Sequence, residues 1–147
     1  MLKIIGIIGI ITASTLLGFF FALKLKTRQT RLSNLCSFIE EIEMRIRSGA
    51  ELKKIFALSG KNVGIYDDGY TVKISPENLF KEDISILEEF FSGLGLGDTE
   101  SQIKRCQVYL SLLKKQEESA AELVNSKSGL YSKLGFFAGL FISVMLI

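Results

Sequence analysis

A chain of 147 residues with 18 basic and 16 acidic side chains, two cysteines and no histidine has room for one modest domain, and it excludes several chemistries at once. Without histidine there is no His-based triad and the commonest general base is missing; two cysteines alone make no structural zinc site. The charges nearly cancel, so no basic stripe marks a nucleic-acid binder, while a mean hydropathy of +0.31 directs attention to apolar segments.

The first of these runs from Ile4 to Leu23, twenty residues without a charge between Lys3 and Lys24. As a helix it reaches roughly 30 Å, the thickness of a hydrocarbon core. A cleaved signal peptide is the competing reading. It fits less well, because the apolar run exceeds a signal core and the small residues Ala13 and Ser14 lie inside it. A second apolar segment, Leu134 to Ile147, is apolar on every face. Counting Leu130 and Tyr131, with Lys133 snorkelling to the headgroups, it reads as a second span rather than a buried core helix. Lys24, Lys26, Arg28 and Arg31 follow the first segment, and Lys127 and Lys133 precede the second. The positive-inside rule then predicts a cytoplasmic middle domain with both termini outside, and the basic cluster is expected to touch anionic lipid. The predicted organisation is an N-terminal anchor over 1–25, a cytoplasmic helical domain over 26–128 and a C-terminal transmembrane helix over 129–147.

From Thr27 the apolar residues Leu32, Leu35, Ile39, Ile42 and Ile46 alternate spacings of three and four, the mark of a helix with one buried stripe. Cys36 and Phe38 flank that stripe, and Glu40, Glu41, Glu43, Arg45 and Arg47 take the remaining surface. Ser48-Gly49-Ala50-Glu51 fits a capping box opening a second, short helix that buries Leu52, Ile55, Phe56 and Leu58. Residues 62–74, β-formers around Asp67-Asp68-Gly69, predict a small β-hairpin. Ser75-Pro76-Glu77 predicts a helix restart, with Ile84, Leu87, Phe91 and Leu94 as its buried stripe.

The turn Gly93-Leu94-Gly95-Leu96-Gly97-Asp98 has the glycines of a phosphate loop but no following Lys-Ser or Lys-Thr. It reads as an interhelix turn in which Asp98 or Thr99 caps the next helix, with Gln102 at the capping-box position of Thr99. Ile103, Cys106, Leu110, Leu113, Ala120 and Val124 then mark one very long helix running into the second apolar segment, expected to loosen at Ser126 to Gly129. Gly135 and Gly139 would let another helix approach closely. Both cysteines fall on helix stripes, which predicts buried thiols rather than a disulfide. The acidic residues Asp67, Asp68 and Asp98 are the only candidates for a metal-binding or enzymatic reading, and turn and cap roles account for them better.

These pieces together resemble a known family. Met1-Leu2-Lys3 with Ala13-Ser14-Thr15, the helix carrying Leu35, Ile39, Glu40, Glu43 and Arg45 into Ser48-Gly49, the stretch Leu94-Gly95-Leu96-Gly97-Asp98 with Gln102, and Tyr131-Ser132-Lys133-Leu134-Gly135 resemble stage III sporulation protein AB of endospore-forming bacteria. That family is itself similar to the inner-membrane platform (F) component of type II secretion. Residues 59–80 depart from it, being shorter and hairpin-like. The resemblance implies a mainly α protein, an antiparallel helical bundle flanked by N- and C-terminal transmembrane helices. It implies a non-enzymatic component, without cofactor, of the channel apparatus between mother cell and forespore. Its partners would be membrane lipid, other membrane proteins of that channel and a hexameric secretion-type ATPase, with no nucleic acid and no small-molecule substrate. Glu40, Glu43, Arg45 and Arg47 are the expected partner-binding residues, and Gly95, Gly97, Asp98 and Gln102 a structural motif. A generic membrane-anchored helical scaffold outside sporulation is the alternative.

Overall fold

The computed structural model describes residues 2–50, 52–67 and 72–145; the side chains of 2–11, 15, 52, 53, 128, 131, 132, 143 and 145 are outside the description. Two very long helices dominate it. α1 runs from Leu2 to Arg47 and α4 from Thr99 to Met145. Between them come the short helix α2 (Leu52–Leu58), a 3-10 turn (Gly60–Val63), the strands β1 (Ile65–Asp67) and β2 (Val72–Ile74), and α3 (Lys81–Ser92). No proline interrupts either long helix, so the apolar and amphipathic parts of each join without a break. The loosening expected at Ser126 to Gly129 does not occur: Ser126 stays within α4 and its hydroxyl donates to the Glu122 carbonyl at 2.7 Å.

The fold divides into two compact units, one of residues 1–29 and 119–147 and the other Thr30–Glu118. In the second, Leu32, Leu35, Ile39 and Ile42 of α1 are buried, as their spacing predicts, while Ile46 of that stripe is half-buried. Cys36 and Phe38 beside the stripe are buried too, together with Ile55 and Phe56 of α2, Ile65 of β1, Leu87, Phe90 and Phe91 of α3, and Cys106 and Leu113 of α4. Each apolar side chain taken fully out of water contributes roughly 1.5–3 kcal/mol. A run of aromatic rings crosses this core: Phe38 on Phe56, Phe56 on Phe91, Phe91 on Phe90 and Phe90 on Tyr109, at centroid separations of 6.0, 5.8, 4.9 and 5.7 Å. Leu58, expected inside, is exposed at the end of α2.

Element boundaries are set by local chemistry that differs in three places from expectation. Ser48 does not open α2; its hydroxyl donates back to the Arg45 carbonyl. α1 instead ends on Gly49 at φ 73°, with Gly49 N–H donating to the Ile46 carbonyl and Ala50 N–H to the Arg45 carbonyl, a Schellman closure; Glu51 lies outside the described residues. Ser75-Pro76-Glu77 does not restart a helix. There the Arg31 guanidinium claims the Ser75 carbonyl at 2.6 Å and also the Glu77 carbonyl, and Asn78 turns into left-handed backbone at φ 56°. α3 begins only at Lys81, where the fully buried Asp83 carboxylate accepts the Phe80 N–H at 2.8 Å.

The expected hairpin is present: β1 and β2 pair antiparallel with Ile65 opposite Ile74 and Asp67 opposite Val72. Asp68, Gly69 and Tyr70 lie outside the described residues. The hairpin sits on α2 through β1 and on α3 through β2, which supplies the packing that an isolated two-stranded ribbon lacks. Gly64 at φ 71° lies against Arg31, a Cβ there meeting Nη2 at 2.6 Å. Arg31 therefore belongs to the anchorage of this segment, not to a lipid-facing cluster.

In the first unit the Ser14 hydroxyl donates to the Gly135 carbonyl at 2.5 Å, and a Cβ on Gly135 would come within 2.7 Å of the Ser14 carbonyl oxygen and 3.5 Å of the Gly18 Cα. Gly135 is thus the close-approach residue its spacing suggests, with Gly139 buried one turn on. Arg28 is 4% exposed, so a second member of the expected lipid-facing cluster is interior. The apolar side chains around this contact face outwards, among them Leu16, Leu17, Phe20, Phe137, Phe141 and Val144. Among the described residues no helix is long and apolar enough to cross a membrane. The expected spans are therefore not carried by those residues alone: Ile4 to Ile11 of the first lie outside the side-chain description, as do Ser143 and Met145 of the second, and Leu146 and Ile147 lie outside the described residues altogether.

Candidate interaction surface on the helical unit

Helical periodicity sorts the four expected partner-binding residues, Glu40, Glu43, Arg45 and Arg47, into two groups. At 100° per residue, Glu40, Glu43 and Arg47 share one stripe, and Arg45 falls on a different flank. The structure shows this division in the pairing. Arg45 Nη2 meets Glu41 at 3.0 Å, whereas Glu43 accepts from Arg47 Nη2 at 2.7 Å and from Gln107 of α4 at 3.0 Å. One turn back, Glu40 accepts from Lys114 Nζ at 2.8 Å. Glu40 and Glu43 meeting Lys114 and Gln107 in that order makes α1 and α4 antiparallel here, with the charged stripe as the outer lip of their seam.

These pairs differ in how much they offer a partner. The Glu43 side chain is 15% exposed and engaged twice, and the Arg47 hydrogen bond, followed by that of Gln107, holds its carboxyl below the usual range. Arg47 and Arg45 keep 54% and 41% of their side chains exposed, and Glu40 46%. The Glu40 carboxylate in turn raises the pKa of Lys114. Exposed pairs of this kind order the side chains more than they stabilise the fold. Glu43 is therefore a brace between α1 and α4, and Glu40, Arg45 and Arg47 are the accessible charges. The sequence puts Lys114 on the surface of the long helix but gives it no partner; the places of Lys114 and Gln107 opposite Glu40 and Glu43 follow only from the register of two helices, across separations of 74 and 64 residues.

The glycine turn after α3 forms the other constructed feature. Gly95 and Gly97 take φ of 87° and 93°, left-handed backbone that side chains other than glycine adopt at a cost. Asp98, not Thr99, caps α4: its carboxylate accepts the Ser101 hydroxyl and the backbone N–H groups of Glu100 and Ser101, and the Ser101 hydroxyl bond does most to lower its pKa. Gln102 is released from the expected box with Thr99, and its Oε1 accepts the Gly95 N–H at 2.9 Å. Arg105, unremarked in the sequence, closes the arrangement. It donates to the carbonyls of Phe90 at 3.2 Å and Glu89 at 2.7 Å, satisfying the open end of α3, and its guanidinium lies 5.2 Å from the Tyr109 ring centre. A Cβ at Gly93 would strike that guanidinium.

Neither feature assembles a nucleophile with a base. The two thiols are buried and unpaired; burial first, with the Glu117 carboxylate adding, pushes Cys36 up to about 12, and burial, with Glu43 adding, pushes Cys106 up to about 11. Both are held as neutral thiols, which are poor nucleophiles and poor metal ligands. Of the three candidate carboxylates, Asp98 caps α4 and Asp67 ends β1, while Asp68 lies outside the described residues. What the surface can do is present ordered charge and exposed apolar side chains, Leu96 the most exposed of them and Met44 and Val108 among the others, to another macromolecule.

Comparison with curated proteins and with solved structures found no match for the chain. The family profile described as stage III sporulation protein AB matches residues 3–64 and 69–147. The interruption is confined to the first strand and turn of the hairpin, a narrower departure than the expected 59–80. With the match covering nearly every residue, from the start of α1 through the glycine turn to the end of α4, the chain belongs to the stage III sporulation protein AB family.

Proposed function

We propose that the protein is a non-enzymatic membrane component of the stage III sporulation apparatus, whose helical unit docks a cytoplasmic secretion-type ATPase. Membership of the family supports the sporulation role. The observation that carries the docking reading is the seam of α1 and α4, where Glu40 and Arg47 are exposed yet already ordered by Lys114 and Glu43, with Arg45, ordered by Glu41, on another flank of α1. Ordered charges bind at a lower entropic cost than free ones and set partner specificity and on-rate more than affinity.

Support for a membrane setting comes from the uncharged run Ile4 to Leu23 and from the outward-facing apolar side chains of the first unit. Exposed apolar area of this extent is unfavourable in water and favourable in lipid. A pair of spans meeting at Ser14, Gly18 and Gly135 would anchor the helical unit on the cytoplasmic side of the mother-cell membrane.

The test is charge reversal at the accessible positions, Glu40→Lys with Arg47→Glu, in the full chain reconstituted in nanodiscs. Retention of fold is checked by circular dichroism and binding of the purified ATPase by biolayer interferometry. A loss of about tenfold or more in affinity with the helical content unchanged is expected. Unchanged ATPase affinity and normal spore formation would remove this docking role.

A further inference from the structure

Leu96 is 70% exposed, more than any other large apolar side chain among the described residues. Such a residue alone would call for no explanation. Its mounting does. It stands between two glycines in left-handed backbone, and nothing lies within 4 Å of a Cβ built on Gly95, so glycine is used there for conformation and not for want of space. The turn is tied down at both ends, by Gln102 to the Gly95 N–H and by Arg105 to the carbonyls of Glu89 and Phe90. The turn needs its glycines, but nothing in its geometry needs leucine at the tip.

Charge surrounds this tip unevenly. Glu88, Glu89, Asp98 and Glu100 are exposed on the last turn of α3 and the first of α4. Two cations, Lys104 and Arg105, stand beside these four carboxylates, so the acidic charge is in excess; the guanidinium of Arg105 is held in place by carbonyls and the Tyr109 ring. Anionic headgroups would be repelled by this collar, which argues against a lipid surface as the ligand.

The geometry points to Leu96 as a rigid anchor that enters an apolar pocket rimmed by Lys and Arg on a partner protein. A preorganised apolar side chain filling a pocket is the usual form of an interface hot spot. Naming that partner as the ATPase rests on the docking reading above; the anchor itself does not.

The test places benzoylphenylalanine in place of Leu96, and separately in place of Arg47, in the full chain in sporulating cells, with the ATPase detected by antibody. The expected result is an ATPase adduct from position 96 that disappears when Glu88→Lys and Glu100→Lys are added. An adduct from position 47 with none from 96 overturns the anchor and leaves the docking reading standing. An adduct from 96 to a different protein, sensitive to the same reversals, upholds the anchor and overturns the ATPase as its partner. An adduct indifferent to the reversals overturns the basic rim, and none at either position overturns both readings. In parallel, Leu96→Ser should weaken the association by about tenfold or more and Leu96→Met by about threefold or less. Equal binding by both variants would also overturn the anchor, and neither alters a buried contact.

Discussion

Arg105 and Gly93 make a pair whose energies can be separated. Gly93 has φ −105° and ψ 1°, a conformation open to alanine, so its backbone alone does not require glycine. The constraint is steric: a Cβ would strike the guanidinium of Arg105, which must then leave the carbonyls of Glu89 and Phe90 and the face of Tyr109. A hydrogen bond from a charged donor contributes about 1.5–3 kcal/mol when buried, and partial exposure here reduces each to about 1. The cation–π contact adds about 0.5–1 kcal/mol. Arg105→Ala should therefore cost about 2–3 kcal/mol, and Gly93→Ala about 1–2.5, the same loss less the narrowing of the unfolded ensemble. The double variant should cost no more than Arg105→Ala alone. With the guanidinium gone, alanine at 93 narrows the unfolded ensemble and returns about 0.4–1 kcal/mol, so the effect of Gly93→Ala changes sign between the two backgrounds. Urea unfolding of the full chain in mild detergent, with hydrogen exchange at the end of α3, reads all four corners of this cycle. Additive costs would refute the assignment of Gly93 to Arg105.

Alkali offers an independent test of the core. The thiols of Cys36 and Cys106 are raised to about 12 and about 11 from 9.0, so the folded state holds protons that the unfolded state releases. Their contribution to stability is complete below about pH 9 and is lost as pH rises towards 11–12; Cys36→Ala with Cys106→Ala should flatten the fall in unfolding free energy over that window. Arg31→Ala should leave the carbonyls of Ser75 and Glu77 without their donor, speeding amide exchange across residues 72–79 and costing about 2 kcal/mol in urea unfolding, while Arg31→Lys recovers less than half of that loss. Exchange rates unchanged in Arg31→Ala would show that the hairpin is held by its contacts with α2 and α3 alone.

Much of this fold is legible in the sequence where one physical signal acts alone. The three-four spacing of Leu32, Leu35, Ile39 and Ile42 marks a buried stripe, and β-formers about a glycine mark the hairpin; both are found as expected. The errors fall where two local solutions compete for one backbone group. Ser75-Pro76-Glu77 has every feature of a helix start, yet a guanidinium from forty-four residues earlier takes the Ser75 carbonyl, and α3 waits for Asp83 to supply a cap. Gln102 could serve Thr99 or Gly95, and only the turn geometry selects Gly95. Of the candidate surface, the charges of α1 were visible and their pairing with Lys114 and Gln107 was not, because antiparallel register is not written in either helix by itself.

The basic residues after the first apolar segment show how one cluster can answer to two stages of the same protein's formation. On the membrane reading, orientation is set while the segment enters the bilayer, when Lys24, Lys26, Arg28 and Arg31 are all on an unpacked chain and count equally as positive charge. Packing then divides them. Arg28 becomes 4% exposed, and Arg31 is taken up by the carbonyls that follow β2, so neither is left to bind anionic headgroups. Lys24 and Lys26 remain exposed on α1. Charge that directs insertion need not be charge that binds lipid: if the proposed span is inserted, replacing Arg31 by a neutral residue would act on topology through the count of cations beside it, and in any setting on the folded unit through two carbonyls left without a donor.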